Sequence, residues 1–338
     1  MSFKKIVYIL LFCCFILIGC TNGKALNDSS EASVDDPLVL RLGHNMNEDH
    51  PVHTALDKFR TEIQDRSNGR IRIIIYPNGQ LGSEPLMLEQ MQAGVLDIVK
   101  VAAPQMSDYS MGYEAFGLPF LFESEEHFKT VMNSDAMKEF FMEEGNGFIT
   151  LTYFTAGQRS FYTKDTPILK PEDLSGLNIR VQELSAQMEM VTAMGGTPIA
   201  MEYGEVYPSL QSGLIDGTEN NEISLTNGYH GEVAKAYSYT QHARIPDVLV
   251  VNEQLWERLD LQDQEMFLEV AEEITEEFYD LWDKEVEEAI NMAKNEMDVE
   301  FYEDIDIKPF QEKTEHIIDS YVAMDPGIEQ VVDIIRNN

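Results

Sequence analysis

Apolar and polar positions along this chain fall into short blocks whose spacing switches between two periods. Leu38-Val39-Leu40-Arg41-Leu42 reads as a strand, followed by a loop at Gly43-His44-Asn45. Val52, Leu56, Phe59 and Ile63 then recur at helical spacing. Ile71 to Tyr76 predicts a second strand closed by Pro77-Asn78-Gly79, Glu84 to Gln92 a helix, and Val95 to Val101 a third strand. Strands and helices alternating in this way imply a mostly parallel sheet with right-handed crossovers. Residues 174–222 repeat the theme. Leu177 to Val181 and Pro198 to Met201 are strand-like, Ala186 to Met194 and Glu205 to Gln211 helical, and Leu214-Ile215-Asp216 opens another strand.

Two short segments tie the halves together. Met91-Gln92-Ala93-Gly94-Val95-Leu96-Asp97 and Leu210-Gln211-Ser212-Gly213-Leu214-Ile215-Asp216 share the pattern apolar-Gln-small-Gly-apolar-apolar-Asp. Each copy is expected to span a helix end, a glycine C-cap and a strand start. The chain therefore predicts two α/β lobes. In open parallel sheets, ligands bind beyond the carboxyl ends of the strands. Such positions include His44, Asn45 and Ala102 to Gln105 in the first half, and Gln182 and Glu219 to Glu222 in the second. Strand ends presented by both lobes would line one cleft. Residues 262–297 contain neither Gly nor Pro and carry Phe267, Val270, Ile274, Phe278 and Leu281 at helical spacing. If continuous, this helix is roughly 54 Å long, enough to cross both lobes; the alternative is two helices separated by a kink.

The first residues change the picture of where the chain resides. Lys4 and Lys5 precede an apolar run from Ile6 to Ile18 that ends in Leu17-Ile18-Gly19-Cys20. A basic start, a short apolar core and a small-residue cut site describe an export signal rather than a membrane span. The Leu-x-Gly-Cys ending is similar to the lipobox of bacterial lipoproteins, which makes Cys20 the expected lipid-modified N-terminus. Cys13 and Cys14 leave with the signal, so no disulfide framework is available. Thr21 to Asp36 reads as a polar tether. The formal charge of -36 becomes -38 after cleavage by this count, which disfavours nucleic acid and bare anionic lipid as partners. Small anions are disfavoured too, unless basic groups are concentrated in one place.

Four segments, in order, carry a family resemblance. They are Leu174-Ser175-Gly176-Leu177-Asn178-Ile179-Arg180-Val181, Met194-Gly195-Gly196-Thr197-Pro198-Ile199, Gly204 to Gly213, and Asp216-Gly217-Thr218-Glu219-Asn220. Together they resemble the core of DctP-type solute-binding proteins of tripartite ATP-independent periplasmic (TRAP) transporters. Gln80-Leu81-Gly82 with Gln90 to Asp97 resembles the first-lobe signature of the same family. The resemblance implies a Venus-flytrap fold whose lobes close on an organic acid. The acid then passes to a carrier made of a small and a large integral membrane subunit and driven by an ion gradient. It implies that Arg180 pairs with the ligand carboxylate, that Asn220 binds the same group, and that Arg159 is a second cleft arginine. Tyr203 falls where the family often sets an aromatic against the ligand. The run Glu219 to Glu222 and the segment His242-Ala243-Arg244-Ile245-Pro246 look most like members that bind sugar acids. No cofactor or metal is implied, and a monomer is expected.

The residues themselves leave alternatives. An unpaired guanidinium in an apolar strand is costly, so Arg180 either forks onto a ligand carboxylate or pairs with an internal acid. Arg159 can be a surface loop residue, Asn220 and Asn221 turn formers, and Glu222 a helix cap. Glu84 opens a helix, where an acid suits the dipole, and also follows the Gln80-Leu81-Gly82 loop toward a ligand hydroxyl. Gln105, Gln182, His44 and Asn45 rest on the strand-end argument. His50 and His53 lack the further ligands a metal needs, and Trp256 and Trp282 read as core. A secreted glycosidase acting on uronides is the rival class, with Glu219 and Glu222 as its carboxyl pair; but these lie three apart on one segment, whereas such pairs are set across a sugar. No Gly-x-Ser-x-Gly or His-Glu-x-x-His motif is present. A receptor feeding a sensor kinase shares the binding chemistry and differs only in partner. The expected organisation is a signal at 1–19, a tether at 20–36, lobe I at 37–157 plus 247–285, and lobe II at 158–246 plus 286–338. The expected ligand is a hexuronate such as glucuronate or galacturonate, with a C4-dicarboxylate or another carboxylate as the alternative.

Overall fold

The computed structural model describes residues 33–338 apart from Asp35 and Glu144. The export signal, Cys20 and the first part of the tether lie outside the described residues. In chain order the elements are β1 (Leu38–Gly43), α1 (Pro51–Arg66), β2 (Ile71–Tyr76), α2 (Glu84–Gln92), β3 (Ile98–Ala102), α3 (Glu125–Met132), α4 (Asp135–Phe141) and β4 (Phe148–Phe154). There follow β5 (Arg159–Thr163), β6 (Asn178–Val181), α5 (Ser185–Ala193), β7 (Thr197–Ala200), α6 (Val206–Ser212), β8 (Gly217–Asn220), α7 (Ile223–Asn227) and β9 (Ala236–Ala243). The chain ends with β10 (Asp247–Asn252), α8 (Glu253–Trp256), α9 (Leu261–Glu296), β11 (Glu300–Tyr302), α10 (Lys308–Val322) and α11 (Pro326–Asn337).

The strands form two sheets, ordered β2-β1-β3-β10-β4 and β11-β9-β5-β8-β6-β7. Each contains the parallel core that the hydrophobic pattern anticipates, β2-β1-β3 in one and β7-β6-β8 in the other. Each is nonetheless mixed. The chain passes between sheets through residues 155–158 and returns through 244–246, so β4 and β10 lie antiparallel in the first sheet and β5 and β9 antiparallel in the second. These strands are nearly uniformly buried, and without alternation a run of this kind has no period to mark it as a strand.

The paired heptapeptides do equivalent work. Gly94 and Gly213 follow α2 and α6 at φ +69° and +79°, a left-handed turn that glycine adopts without steric penalty. Asp97 then accepts the backbone N–H of Arg41 in β1 at 2.8 Å, and Asp216 accepts that of Asn178 in β6 at 2.8 Å. These side chains close the turn onto the neighbouring strand, so β3 and β8 begin at Ile98 and Gly217 rather than at the apolar residues before each Asp.

Helix α9 is continuous over 36 residues, roughly 54 Å. Asp260 caps it by accepting the N–H of Asp263 at 2.8 Å, and Asp263 in turn holds Arg70 in a paired contact. Its first half packs Phe267 edge-on to Phe59 of α1, with ring centroids 5.8 Å apart. Its far end places Ala293 in the apolar cluster of the second sheet with Tyr162, Tyr237 and Val299. One helix thus spans both lobes. The last helix, α11, packs Ile328, Val331 and Ile335 into a cluster shared with Tyr113, Phe116 and Phe140. Among the described residues no helix is long and apolar enough to cross a membrane.

Candidate functional site

The carboxyl ends of the parallel strands from both sheets converge on one cavity with an empty volume of about 680 Å³ including its mouth. From the first sheet come Asn45 after β1, Ala102 at the end of β3 and Gln105 beyond it; from the second come Gln182 after β6, Tyr203 after β7, Asn220 at the end of β8 and Asn221 just after it. The antiparallel strands add Arg159 from the start of β5 and Asp247 from the start of β10, and α9 adds Trp282. A cleft at the carboxyl ends of the strands with convergent polar groups in its wall suits a small polar ligand.

Arg180 is 2% exposed and sits in β6 between Ile179 and Val181, whose side chains join the core. Its Nε and Nη2 both donate to the carbonyl of Met201, at 3.0 and 2.7 Å. Among the described residues no carboxylate lies within ion-pair distance of it, and no hydrogen bond uses Nη1. Burial pulls its pKa below the ordinary arginine value; Glu219 opposes that shift and Arg159 adds to it. A cavity wall therefore carries a buried cation whose free fork suits a planar carboxylate.

Arg159 is equally buried and, in contrast, held by protein through four of its five N–H groups, one on Nη1 remaining. Its Nε and Nη2 hold the Glu219 carboxylate at 2.5 and 2.8 Å, Nη2 also reaches the Glu219 carbonyl, and Nη1 donates to Asn220 Oδ1 at 2.9 Å. Burial would push the Glu219 carboxyl up, but Arg159 and His242 outweigh it and hold it at about 2. Because Asn220 Oδ1 also accepts the backbone N–H of Asn221 at 2.9 Å, its amide has one satisfactory orientation. The Nδ2 group is then left to donate into the cavity.

Acceptors dominate the rest of the wall. Asn45 Oδ1, Gln182 Oε1 and Asn221 Oδ1 are buried amide oxygens with no protein donor among the described residues, and Asn221 spends its Nδ2 on the Ala156 carbonyl at 3.0 Å. His50 supplies a donor. Its Nδ1 caps α1 by accepting the Val52 N–H at 3.2 Å, which fixes the ring proton on Nε2, and burial together with Lys100 holds the imidazole neutral, at about 3. Carboxyl groups complete the lining. Glu84 and Asp247 flank the buried Lys100 on the first-lobe side, while Glu183 and Glu202 lie on the second-lobe side. Burial, Glu84 and a hydrogen bond with Glu183 push Glu202 up to about 7.

The fold thus gathers Arg180, Asn220, Arg159, Glu84, Tyr203, Asn221, Gln182, Asn45 and Gln105 around one space, and leaves His44 and Glu222 outside it. His44 is fully buried behind the wall with its Nε2 3.0 Å from His53 Nδ1. Glu222 stands at the N-cap of α7 without a side-chain capping bond, and hydrogen-bonds Tyr239 of β9. Glu219 is also absent from the lining, since its side chain lies beneath Arg159.

A family model described as bacterial extracellular solute-binding protein, family 7 (DctP), matches residues 42–325. The chain belongs to this family. It is 39% identical to an uncharacterized protein, YiiZ, of Salmonella typhimurium over 83% of this chain and 86% of that protein. It is 34% identical to a solute-binding protein of Chromohalobacter salexigens, covering 85% and 86%. The crystal structure of a TRAP periplasmic solute-binding protein from Anaerococcus prevotii with bound D-glucuronate superposes with a TM-score of 0.85 at 36% identity, covering 89% of this chain and 97% of that one. One from Chromohalobacter salexigens, also with bound D-glucuronate, gives 0.84 at 32% identity, covering 88% and 99%.

Sequence reasoning missed His50, Glu183, Glu202, Asp247 and Trp282, all of which line the cavity. Trp282 is core, as its apolar spacing suggests, and cavity wall as well. Lys100 was findable by the signal that exposed Arg180, a cation within an otherwise apolar strand, Ile98 to Ala102.

Proposed function

We propose that this chain is the extracytoplasmic receptor of a TRAP transporter and captures a hexuronate such as glucuronate or galacturonate by closing its lobes around the acid. One observation carries the reading. A buried arginine without an acid partner, Arg180, shares its cavity with the unpartnered amide oxygens of Asn45, Gln182 and Asn221. A buried acceptor left without a donor costs about 1–3 kcal/mol, and sugar hydroxyls are donors of the right kind. A hexuronate offers one carboxylate for Arg180 and Asn220 and several hydroxyls for the amides. A C4-dicarboxylate would bring a second negative charge toward Glu84, Asp247, Glu183 and Glu202. The D-glucuronate bound in similar structures supports the same ligand class.

In this reading the chain performs no catalysis, lobe I comprises 37–157 plus 247–285 and lobe II 158–246 plus 286–338. Cys20 anchors the protein by lipid to the outer face of the membrane, Thr21 to Asp36 is its tether, and the monomer hands its ligand to the two membrane subunits. A thermal-shift panel of hexuronates, aldonates, succinate and malate tests the ligand. A ligand at 100 times its dissociation constant adds about 2.7 kcal/mol of stability. D-glucuronate or D-galacturonate should give the largest shift; a large shift with succinate and none with any sugar acid would overturn the assignment.

A further inference from the structure

On the first-lobe side of the cavity, two carboxylates share one cation. Lys100 in β3 is fully buried, with Nζ 3.1 Å from Asp247 Oδ1 and 3.4 Å from Glu84 Oε1. Glu84 and Asp247 line the cavity and Lys100 does not. Antiparallel pairing sets Asp247 of β10 opposite Ala102 of β3, and Glu84 Oε2 accepts the Ala102 N–H at 3.3 Å, so one short stretch of strand fixes both acids. Burial opposes a charge on Lys100, but Asp247 and Glu84 outweigh it and hold its pKa above the ordinary value. No protein donor reaches Asp247 Oδ2 among the described residues.

Packing alone does not account for this cluster. Taking three ionic groups out of water costs more than an apolar replacement of the same volume, and such replacements are often stabilising. Two acids on one ammonium also leave acceptor capacity in excess, and that excess borders the cavity. Arg180 and Asn220, the carboxylate-binding pair, belong to the other sheet.

We propose that Asp247, together with Glu84, is the subsite that reads the ligand's hydroxyl groups, with Lys100 as the positioning residue that holds the two carboxylates side by side. The inference rests on the hexuronate reading and adds to it the residues that reject acids without hydroxyls. A ligand lacking hydroxyls must desolvate both carboxylates without replacing the hydrogen bonds they lose. An O–H donated to a carboxylate is a charge-assisted bond and stronger than one between neutral groups.

The test compares D-glucuronate with cyclohexanecarboxylate, a six-membered ring bearing one carboxylate and no hydroxyl. Calorimetry measures the first ligand and ligand-induced thermal shift the weaker second, on wild type, Asp247→Asn and Lys100→Met. Asp247→Asn should weaken D-glucuronate by about 10- to 100-fold, and leave cyclohexanecarboxylate unchanged or bound more tightly. In Lys100→Met the paired acids lose the cation between them, so the pH profile of D-glucuronate affinity should depart from that of wild type, in which Glu202, pushed up to about 7 in the same cavity wall, already titrates near neutrality; lost packing alone leaves the shape of the wild-type profile unchanged. Equal weakening of both ligands by Asp247→Asn, or an unchanged D-glucuronate affinity, overturns the assignment and leaves the uronate reading intact. Wild type that binds no hexuronate overturns both.

Discussion

Glu219 grips Arg159 from the neighbouring strand with both carboxylate oxygens, 2.5 Å from Nε and 2.8 Å from Nη2, and both side chains are buried. Removing one partner of such a pair leaves an uncompensated buried charge, at a cost of about 3–5 kcal/mol. Glu219→Gln should therefore lower the urea midpoint by that equivalent. It should also weaken ligand binding, because Arg159 orients the Asn220 amide. Wild-type stability in this variant would contradict the buried-pair assignment.

Arg180 should behave differently. It has no acid partner to leave behind, only the Met201 carbonyl, so Arg180→Met should lower the urea midpoint far less than Glu219→Gln does. Binding is another matter. Losing the arginine half of a buried charge pair with the ligand costs about 2–5 kcal/mol, or roughly 30- to several-thousand-fold in affinity. Arg180→Lys keeps the charge and loses the fork, so it too should bind weakly. Calorimetry showing wild-type affinity in folded Arg180→Met would remove this residue from the site.

The pH dependence follows from buried imidazoles. Burial is the largest cause in each case and holds His44 at about 2, and His50 and His230 at about 3, against an ordinary 6.5. The unfolded chain binds these protons below pH 6.5 and the folded chain does not, so stability falls as pH drops from 6.5 toward 3. Each histidine contributes a slope of about 1.4 kcal/mol per pH unit in that window. Glu219, held at about 2, adds in the same direction below its unfolded value. Glu202, raised to about 7, works against them, since its folded form keeps a proton that the unfolded chain has lost. His230→Asn, measured by urea unfolding at several pH values, should flatten the acid slope by one histidine's share. An unchanged slope would mean that His230 titrates normally in the fold.

Closure of the lobes is expected to centre on the strand crossings. Gly157, at φ +64°, lies between β4 and β5, where an added Cβ would stand 3.2 Å from Trp282 and 3.5 Å from Asn221. Gly157→Ala should cost about 1–2 kcal/mol from the left-handed backbone alone, read as a lower melting temperature. In wild type, saturating D-glucuronate should reduce the radius of gyration in small-angle scattering without changing the molecular mass. Identical profiles with and without ligand would contradict closure of two lobes on the ligand.

Much of this protein is legible in one dimension because local forces write it there. The parallel cores, the paired Gly turns at Gly94 and Gly213, and the single helix from Leu261 to Glu296 follow from periodicity, glycine's conformational freedom and the absence of breakers. Arg180 betrays itself because a cation inside an apolar strand needs a reason. Tertiary structure alone decided that Glu219 serves Arg159 instead of the cavity, that His50, which caps α1, is a neutral donor, and that Asp247 meets Glu84 across Lys100. Strand pairing brings these groups together over separations of up to 163 residues, from Glu84 to Asp247. The direction in which a buried side chain faces is set by partners that no local pattern names.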